Sequence, residues 1–149
     1  RDAVAGFAAE LVAVSPVYET EAWGGVPQDD YLNAVLVVAA DELDEWGWLH
    51  RGQELERAAG RVRTVRWGPR TLDVDVVTVD GPHGPVHSDD PELLLPHPGT
   101  SERNTVLRPW LDIDPDATLP GHGRVDALLV AVGENGLRRR DDLSLVPVR

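Results

Sequence analysis

From Gly60 to Asp75 the chain reads Gly-Arg-Val-Arg-Thr-Val-Arg-Trp-Gly-Pro-Arg-Thr-Leu-Asp-Val-Asp, a run dense in residues able to do chemistry. Four arginines, Arg61, Arg63, Arg66 and Arg70, lead into two carboxylates, Asp73 and Asp75. The carboxylates alternate with Leu72, Val74 and Val76, the period of a strand, which predicts that both point to one face. Aspartate is uncommon in strands, and like charges side by side on a sheet face repel. A divalent cation removes that penalty, and a cation beside clustered arginines suits a polyphosphate. The pattern outlines a phosphoryl-transfer site. Asp73 and Asp75 are hard oxygen ligands of the kind Mg²⁺ takes together with substrate phosphates, and two such ions can bridge them. The plainer alternative is two solvent-facing aspartates on a sheet.

The flanking residues extend the pattern. Arg70 can fork onto a phosphate in a way lysine cannot. Arg61, Arg63 and Arg66 lie on a loop bounded by Gly60 and Gly68-Pro69 and can close over a nucleotide; otherwise they pair with the acidic remainder of the protein. Trp67 either stacks on a ligand or packs in the core. Asn33, on an otherwise apolar stretch, is a satisfied core group or a recognition group for a planar heterocycle, with Tyr31 on the same face. His97, between Pro96 and Pro98, is held stiffly and can reach a phosphate, although a lone loop histidine is usually structural. His83 and His87 have metal-like spacing but no third ligand nearby in sequence. Arg138-Arg139-Arg140 precedes Asp141-Asp142 and reads as a self-neutralising surface turn.

Composition narrows the chemistry. The formal charge is -12, which argues against nucleic acid or an anionic membrane as partner. Against that background, Arg51 to Arg70 holds six Arg and only two acids, a local positive island suited to one anionic ligand. All fourteen basic residues are Arg, so a P-loop lysine, a Schiff-base lysine and a kinase lysine are excluded. With no Cys there is no thiol nucleophile, disulfide or thiolate zinc site, which fits a reducing, cytoplasmic setting. No apolar run approaches the roughly 18 residues of a membrane span. There is no Met, so Arg1 is not expected to be the translation start.

At 149 residues and 42% apolar, one domain over residues 1–149 is expected. Ala3 to Ala9 reads as the tail of a helix, Leu11 to Tyr18 as a strand bent at Pro16, and Tyr31 to Val38 as the next strand. Asp44 can cap a helix over Trp48, Leu55 and Ala59, which Gly60 would end. A strand over Thr71 to Val79 follows, then a Gly/Pro/His-rich loop and the short extended stretch Leu93 to Leu95. An arm runs from Arg103 to Trp110, Asp112 to Gly123 is turn-rich, Val125 to Val132 is a helix ending at Gly133 or Gly136, and Leu143 to Val148 is a last strand. The order is most of a ferredoxin-like α+β two-layer sandwich with a mostly antiparallel sheet. The strand that opens that topology is missing at the start, so an upstream or fused segment is expected to supply it.

In this order the motifs resemble the 6-hydroxymethyl-7,8-dihydropterin pyrophosphokinase family of folate biosynthesis. The resemblance rests on Ser15-Pro-Val-Tyr-Glu-Thr20, Gln28-Asp-Asp-Tyr-Leu-Asn-Ala-Val35, Gln53-Glu-Leu-Glu56, Gly60-Arg-Val-Arg63, Arg66-Trp-Gly-Pro-Arg-Thr-Leu-Asp-Val-Asp75, and Pro96-His-Pro98 with Arg103. It covers about residues 3 to 120. It implies transfer of the ATP β,γ-diphosphoryl unit to the pterin hydroxymethyl group with release of AMP. Asp73 and Asp75 would be the ligands of two Mg²⁺ ions, and Arg61 and Arg70 phosphate-handling arginines. Gln53, Arg63, Trp67 and His97 would lie on the nucleotide side with Arg103 close to the phosphates; Thr20, Tyr31 and Asn33 would surround the pterin, with Trp23 beside it.

The chain departs from the family pattern in three places. The opening strand and its Gly-Ser-Asn-Leu-Gly-Asp turn are absent, and the arginine loop is short. Thr105 stands where an aromatic usually stacks on the pterin, which would forfeit roughly 1–3 kcal/mol by analogy with base stacking. Two alternatives follow. One is a nucleotide-binding relative that has lost turnover; the other is a Mg-dependent phosphotransferase or hydrolase of a different class.

Overall fold

The computed structural model describes residues 6–7, 10–20, 31–62 and 72–145, with 61–62 as backbone only. The first expected strand divides at Ser15-Pro16. Proline has no N–H to offer a ladder, and Ser15 compensates with its side chain. Its N–H donates to Val35 O at 2.9 Å, and its Oγ accepts from Val35 N at 2.8 Å while donating to Pro16 O at 2.8 Å. The result is β1 (Leu11–Val14) and β2 (Val17–Thr20), and opposite them β3 (Tyr31–Asn33) and β4 (Leu36–Val38). β1 pairs with β4 and β2 with β3, both antiparallel, with Val14 opposite Leu36 and Tyr18 opposite Asn33.

The other edge of β2 takes a strand that the sequence reading places elsewhere. Residues 143–145 are not a strand, and 146–148 lie outside the described residues. Arg138–Arg140 forms the edge instead, pairing antiparallel with Val17–Glu19. Three arginines are tolerated because carboxylates meet each one: Arg138 and Arg140 reach Glu19, Arg139 Nε lies 2.6 Å from Asp141 Oδ1, and Arg140 Nη2 lies 2.6 Å from Asp142 Oδ2. The charge also protects an open sheet edge from pairing with another chain. The expected neutralisation by Asp141 and Asp142 is therefore present, with the arginines on a strand and the two aspartates in the turn that follows it.

Hydrogen bonding from Arg140 draws the Asp142 carboxyl down to about 2. A folded pKa below the unfolded value stabilises the fold above about pH 4, and that contribution disappears as pH falls through about 2. An NMR titration of Asp142 should give a midpoint near 2, moving upward in 1 M salt as the pair is screened. A midpoint near 4 would show that the contact does not exist in solution.

The first helix, α1 (Glu45–Val62), starts as expected: Asp44 Oδ1 accepts from Gly47 N at 2.8 Å. It does not end at Gly60. That residue is not among the positive-φ glycines, and nothing lies within 4 Å of a Cβ placed on it, so the helix runs on. Glycine permits a left-handed stop without compelling one. One side of α1 carries Phe7, whose ring is 6.2 Å from Trp48, and Gly6, which sits against Leu55. Arg51 Nη1 meets Glu10 Oε1 at 3.0 Å.

Residues 72–79 lie along α1 but are not assigned as a strand. Their backbone accepts from His97 N at Val77 O (2.9 Å) and from Val86 N at Val79 O (2.8 Å), which does not make a ladder. Alternation and β-propensity alone do not make a strand; a neighbour must supply bonds in register. Beyond them, β5 (Asp80–Gly81) pairs with β6 (Gly84–Pro85), and β7 (Ser88–Asp90) with β8 (Leu93–Leu95).

A 3₁₀ turn, Thr100–Glu102, leads into α2 (Asn104–Ile113), the arm that the sequence leaves unassigned. Pro109 sits inside this helix, where it removes a backbone bond. Burial outweighs that loss: Leu107, Pro109 and Trp110 are all buried. Leu107 and Trp110 pack with Ala117, with Leu119 of the hairpin β9 (Thr118–Leu119) and β10 (Gly123–Arg124), and with Val125 and Leu129 of α3 (Val125–Val132). Val35 and Val77 close this core from the other side. As expected, Gly133 ends α3, with φ 84 and its N–H on Leu129 O at 2.7 Å. Asn104 Nδ2 donates to Gly133 O and Asn135 O, both at 3.1 Å, tying the head of α2 to the end of α3. Among the described residues the fold is α+β, with antiparallel strand pairs and three helices. None of these helices is long and apolar enough to cross a membrane.

Candidate active site

Val74 stands between the two carboxylates. It packs against α1 at Gly52, so closely that a Cβ added there would stand 2.8 Å from Val74 Cγ1. Its neighbours Asp73 and Asp75 are exposed, whereas Leu72, Val74 and Val76 are partly covered. The alternation expected of this segment is thus present without the ladder.

Beside Asp75 opens a cleft of about 290 Å³. Leu49, Val74, Val76 and Leu94 give it apolar walls, and Asp75, Glu92 and His97 supply its polar groups. His97 Nε2 lies 3.7 Å from Asp75 Oδ1. Its Nδ1 is 3.0 Å from Pro98 O, which can only accept, so Nδ1 carries the hydrogen and Nε2 is turned toward the carboxylate. The loop beneath is stapled from within. His97 N–H donates to Val77 O, and His97 O accepts from the buried Thr100 hydroxyl at 2.7 Å. Arg103 folds onto Gly99 of the same loop: a Cβ on Gly99, whose φ is 78, would be 3.4 Å from Arg103 Nε. Gln53 is exposed on α1, next to Gly52.

A second group forms on the β2–β3 ladder. Thr20 is opposite Tyr31, and Asn33 lies two residues from Tyr31 on the same face, opposite Tyr18. Tyr31 is 46% exposed, so its ring is open to a ligand. Tyr18 is buried beneath, and its O–H donates to Asp112 of α2. Burial, reinforced by that bond, raises the Tyr18 pKa. Asp112 Oδ1 also accepts from Arg108 Nη2 at 2.8 Å, anchoring the ladder to α2.

Arg63, Trp67, Arg70 and Trp23 lie outside the described residues, as does the side chain of Arg61. His83 and His87 are exposed, and among the described residues no three His, Asp or Glu side chains gather closely enough to hold a metal unaided. The sequence reading does not pick out Leu49, Glu92 and Leu94 as part of the cleft. They come from separate elements, and no local spacing marks them. Gly52 did carry a signal, since a glycine in mid-helix is unfavourable without a packing reason.

These features define an α+β protein with a cleft lined by both apolar and polar groups, Asp75 among them, and a second exposed carboxylate, Asp73, two residues away. Residues 1–115 match the family model described as 7,8-dihydro-6-hydroxymethylpterin-pyrophosphokinase (HPPK), and the chain belongs to that family. Similar curated proteins are named 2-amino-4-hydroxy-6-hydroxymethyldihydropteridine pyrophosphokinase. That of Mycobacterium leprae is 47% identical over 138 residues, covering 87% of this chain and 72% of the relative. That of Mycobacterium tuberculosis is 44% identical over 124 residues, covering 80% and 66%. That of Pseudomonas aeruginosa is 37% identical over 129 residues, covering 87% and 76%. The chain thus spans about two thirds of the length of the M. tuberculosis relative.

Proposed function

We propose that this chain transfers the β,γ-diphosphoryl unit of ATP to the hydroxymethyl group of 6-hydroxymethyl-7,8-dihydropterin, a step of folate biosynthesis in the cytoplasm. The observation that carries the reading is Asp75 lining a cleft, 3.7 Å from His97, in a chain of the HPPK family. The antiparallel pairs β1–β4 and β2–β3, with α1 against Val74, support a ferredoxin-like sandwich forming one domain over residues 1–149.

In this reading Leu49, Val76 and Leu94 receive the nucleotide base, with Gln53 at the edge. Asp73 and Asp75 hold two magnesium ions, which when bound neutralise phosphate charge. Arg61, Arg63, Arg70 and Arg103 orient the phosphates, and His97 lines the nucleotide side of the cleft beside Asp75. Trp67 stacks on the nucleotide side. Thr20, Trp23, Tyr31 and Asn33 hold the pterin, Asn33 through the hydrogen-bonding edge of the ring. The pterin hydroxyl oxygen attacks the β-phosphorus, the bond to the α–β bridging oxygen breaks, AMP leaves, and the hydroxyl proton passes to solvent. Such an in-line displacement needs positioning and charge neutralisation more than a strong protein base.

The test is incubation with ATP, Mg²⁺ and the pterin alcohol, followed by chromatography of the nucleotides. AMP and pterin diphosphate should form in equal amounts. Appearance of ADP or inorganic phosphate instead would point to a hydrolase or a different phosphotransferase. Binding of ATP with magnesium but no AMP would leave a relative without turnover.

A further inference from the structure

Gly52 sits in the middle of α1, buried, where glycine costs up to about 1 kcal/mol relative to alanine. A mid-helix glycine is retained at that expense when another part of the chain approaches too closely for a side chain. Here the approaching residue is Val74. A Cβ at position 52 would lie 2.8 Å from Val74 Cγ1, 3.3 Å from Val74 Cβ and 3.8 Å from Val74 O. The first distance is shorter than a methyl pair tolerates, and valine has one stiff rotor with which to retreat. The segment itself must therefore move. Val74 lies between Asp73 and Asp75, and, among the described residues, 72–76 are assigned to no strand.

We propose that Gly52 is a positioning residue for the two carboxylates: its missing side chain lets Val74 seat on α1 and so fixes where Asp75 stands in the cleft and how Asp73 is placed two residues from it. The inference rests on the pyrophosphokinase reading, because only there do the carboxylates share a metal–nucleotide ligand. Displacements approaching 1 Å in a reacting site can reduce rates by about a hundredfold.

The experiment measures calorimetric binding of a non-hydrolysable ATP analogue with Mg²⁺, alongside AMP formation. Gly52→Ala should bind the metal–nucleotide about tenfold more weakly and lower kcat by about 10- to 100-fold, at a temperature where circular dichroism shows both proteins fully folded. The double variant Gly52→Ala/Val74→Ala, which clears the methyl, should recover most of the metal–nucleotide affinity. A purely structural role would not weaken metal–nucleotide binding under conditions where both proteins are fully folded. Equal binding by the unsubstituted and Gly52→Ala chains overturns this inference alone, as does a double variant that recovers nothing. If the unsubstituted chain binds no metal–nucleotide, the functional reading fails and takes this inference with it.

Discussion

Asp75→Ala should lower kcat by about a thousandfold, on the scale of losing one preorganised group that stabilises transition-state charge, while the fold survives. The Asp75 side chain is 57% exposed, and substitutions at such positions usually change stability by no more than about 0.5 kcal/mol. What is lost is the carboxylate facing His97 Nε2 in the cleft, which the proposed function makes a magnesium ligand. Asp75→Asn keeps the shape and one oxygen but removes the charge, so it should fall between the two and need more Mg²⁺ for half-maximal rate. AMP formation across a magnesium titration, with circular dichroism as a check on folding, measures both. A well-folded Asp75→Ala protein with near-normal turnover would remove this residue from the mechanism and the cleft from the site.

The largest stability effect is expected at Leu107. It is fully buried at the centre of the core formed by α2, α3 and the β9–β10 hairpin. Leu107→Ala removes three carbons and leaves a cavity whose walls relax only in part, a loss of about 2–5 kcal/mol. Urea unfolding should show this as a lower midpoint at constant slope. Val130→Ala on α3 is the comparison: Val130 is 86% exposed, and its truncation should cost no more than about 0.5 kcal/mol. Equal losses at the two positions would show that the core is not where α2 places it. The consequence reaches the site, because α2 begins directly after Arg103 and carries Thr105 in its first turn. Loosening this helix frees the segment that borders the His97 loop.

Local chemistry made some elements easy to read. Asp44 announces its helix because a side-chain oxygen before an apolar stripe satisfies an otherwise unpaired N–H. Gly133 announces the end of α3 because the left-handed conformation is nearly free only for glycine. Pro16 marks a bend, and the structure has one there. Elements that depend on distant partners were less legible. Arg138–Arg140 becomes a strand because Glu19, about 120 positions earlier in the chain, stands ready to accept it. Pro109 conceals α2 because propensity argues against a helix that burial then enforces.

The same division runs through the candidate site. The order of residue types alone was enough to propose paired carboxylates, an arginine island without lysine, and a family resemblance, because charge, ligand hardness and two-residue alternation are properties of neighbours in the chain. Tertiary structure decided which wall Asp75 faces, that Leu49, Glu92 and Leu94 share its cleft, and that Gly52 sets how closely helix and acidic segment meet. It also withheld the ladder that alternation suggested for residues 72–79. Distances between remote segments arise from packing volumes and register, and no spacing along the chain encodes them singly.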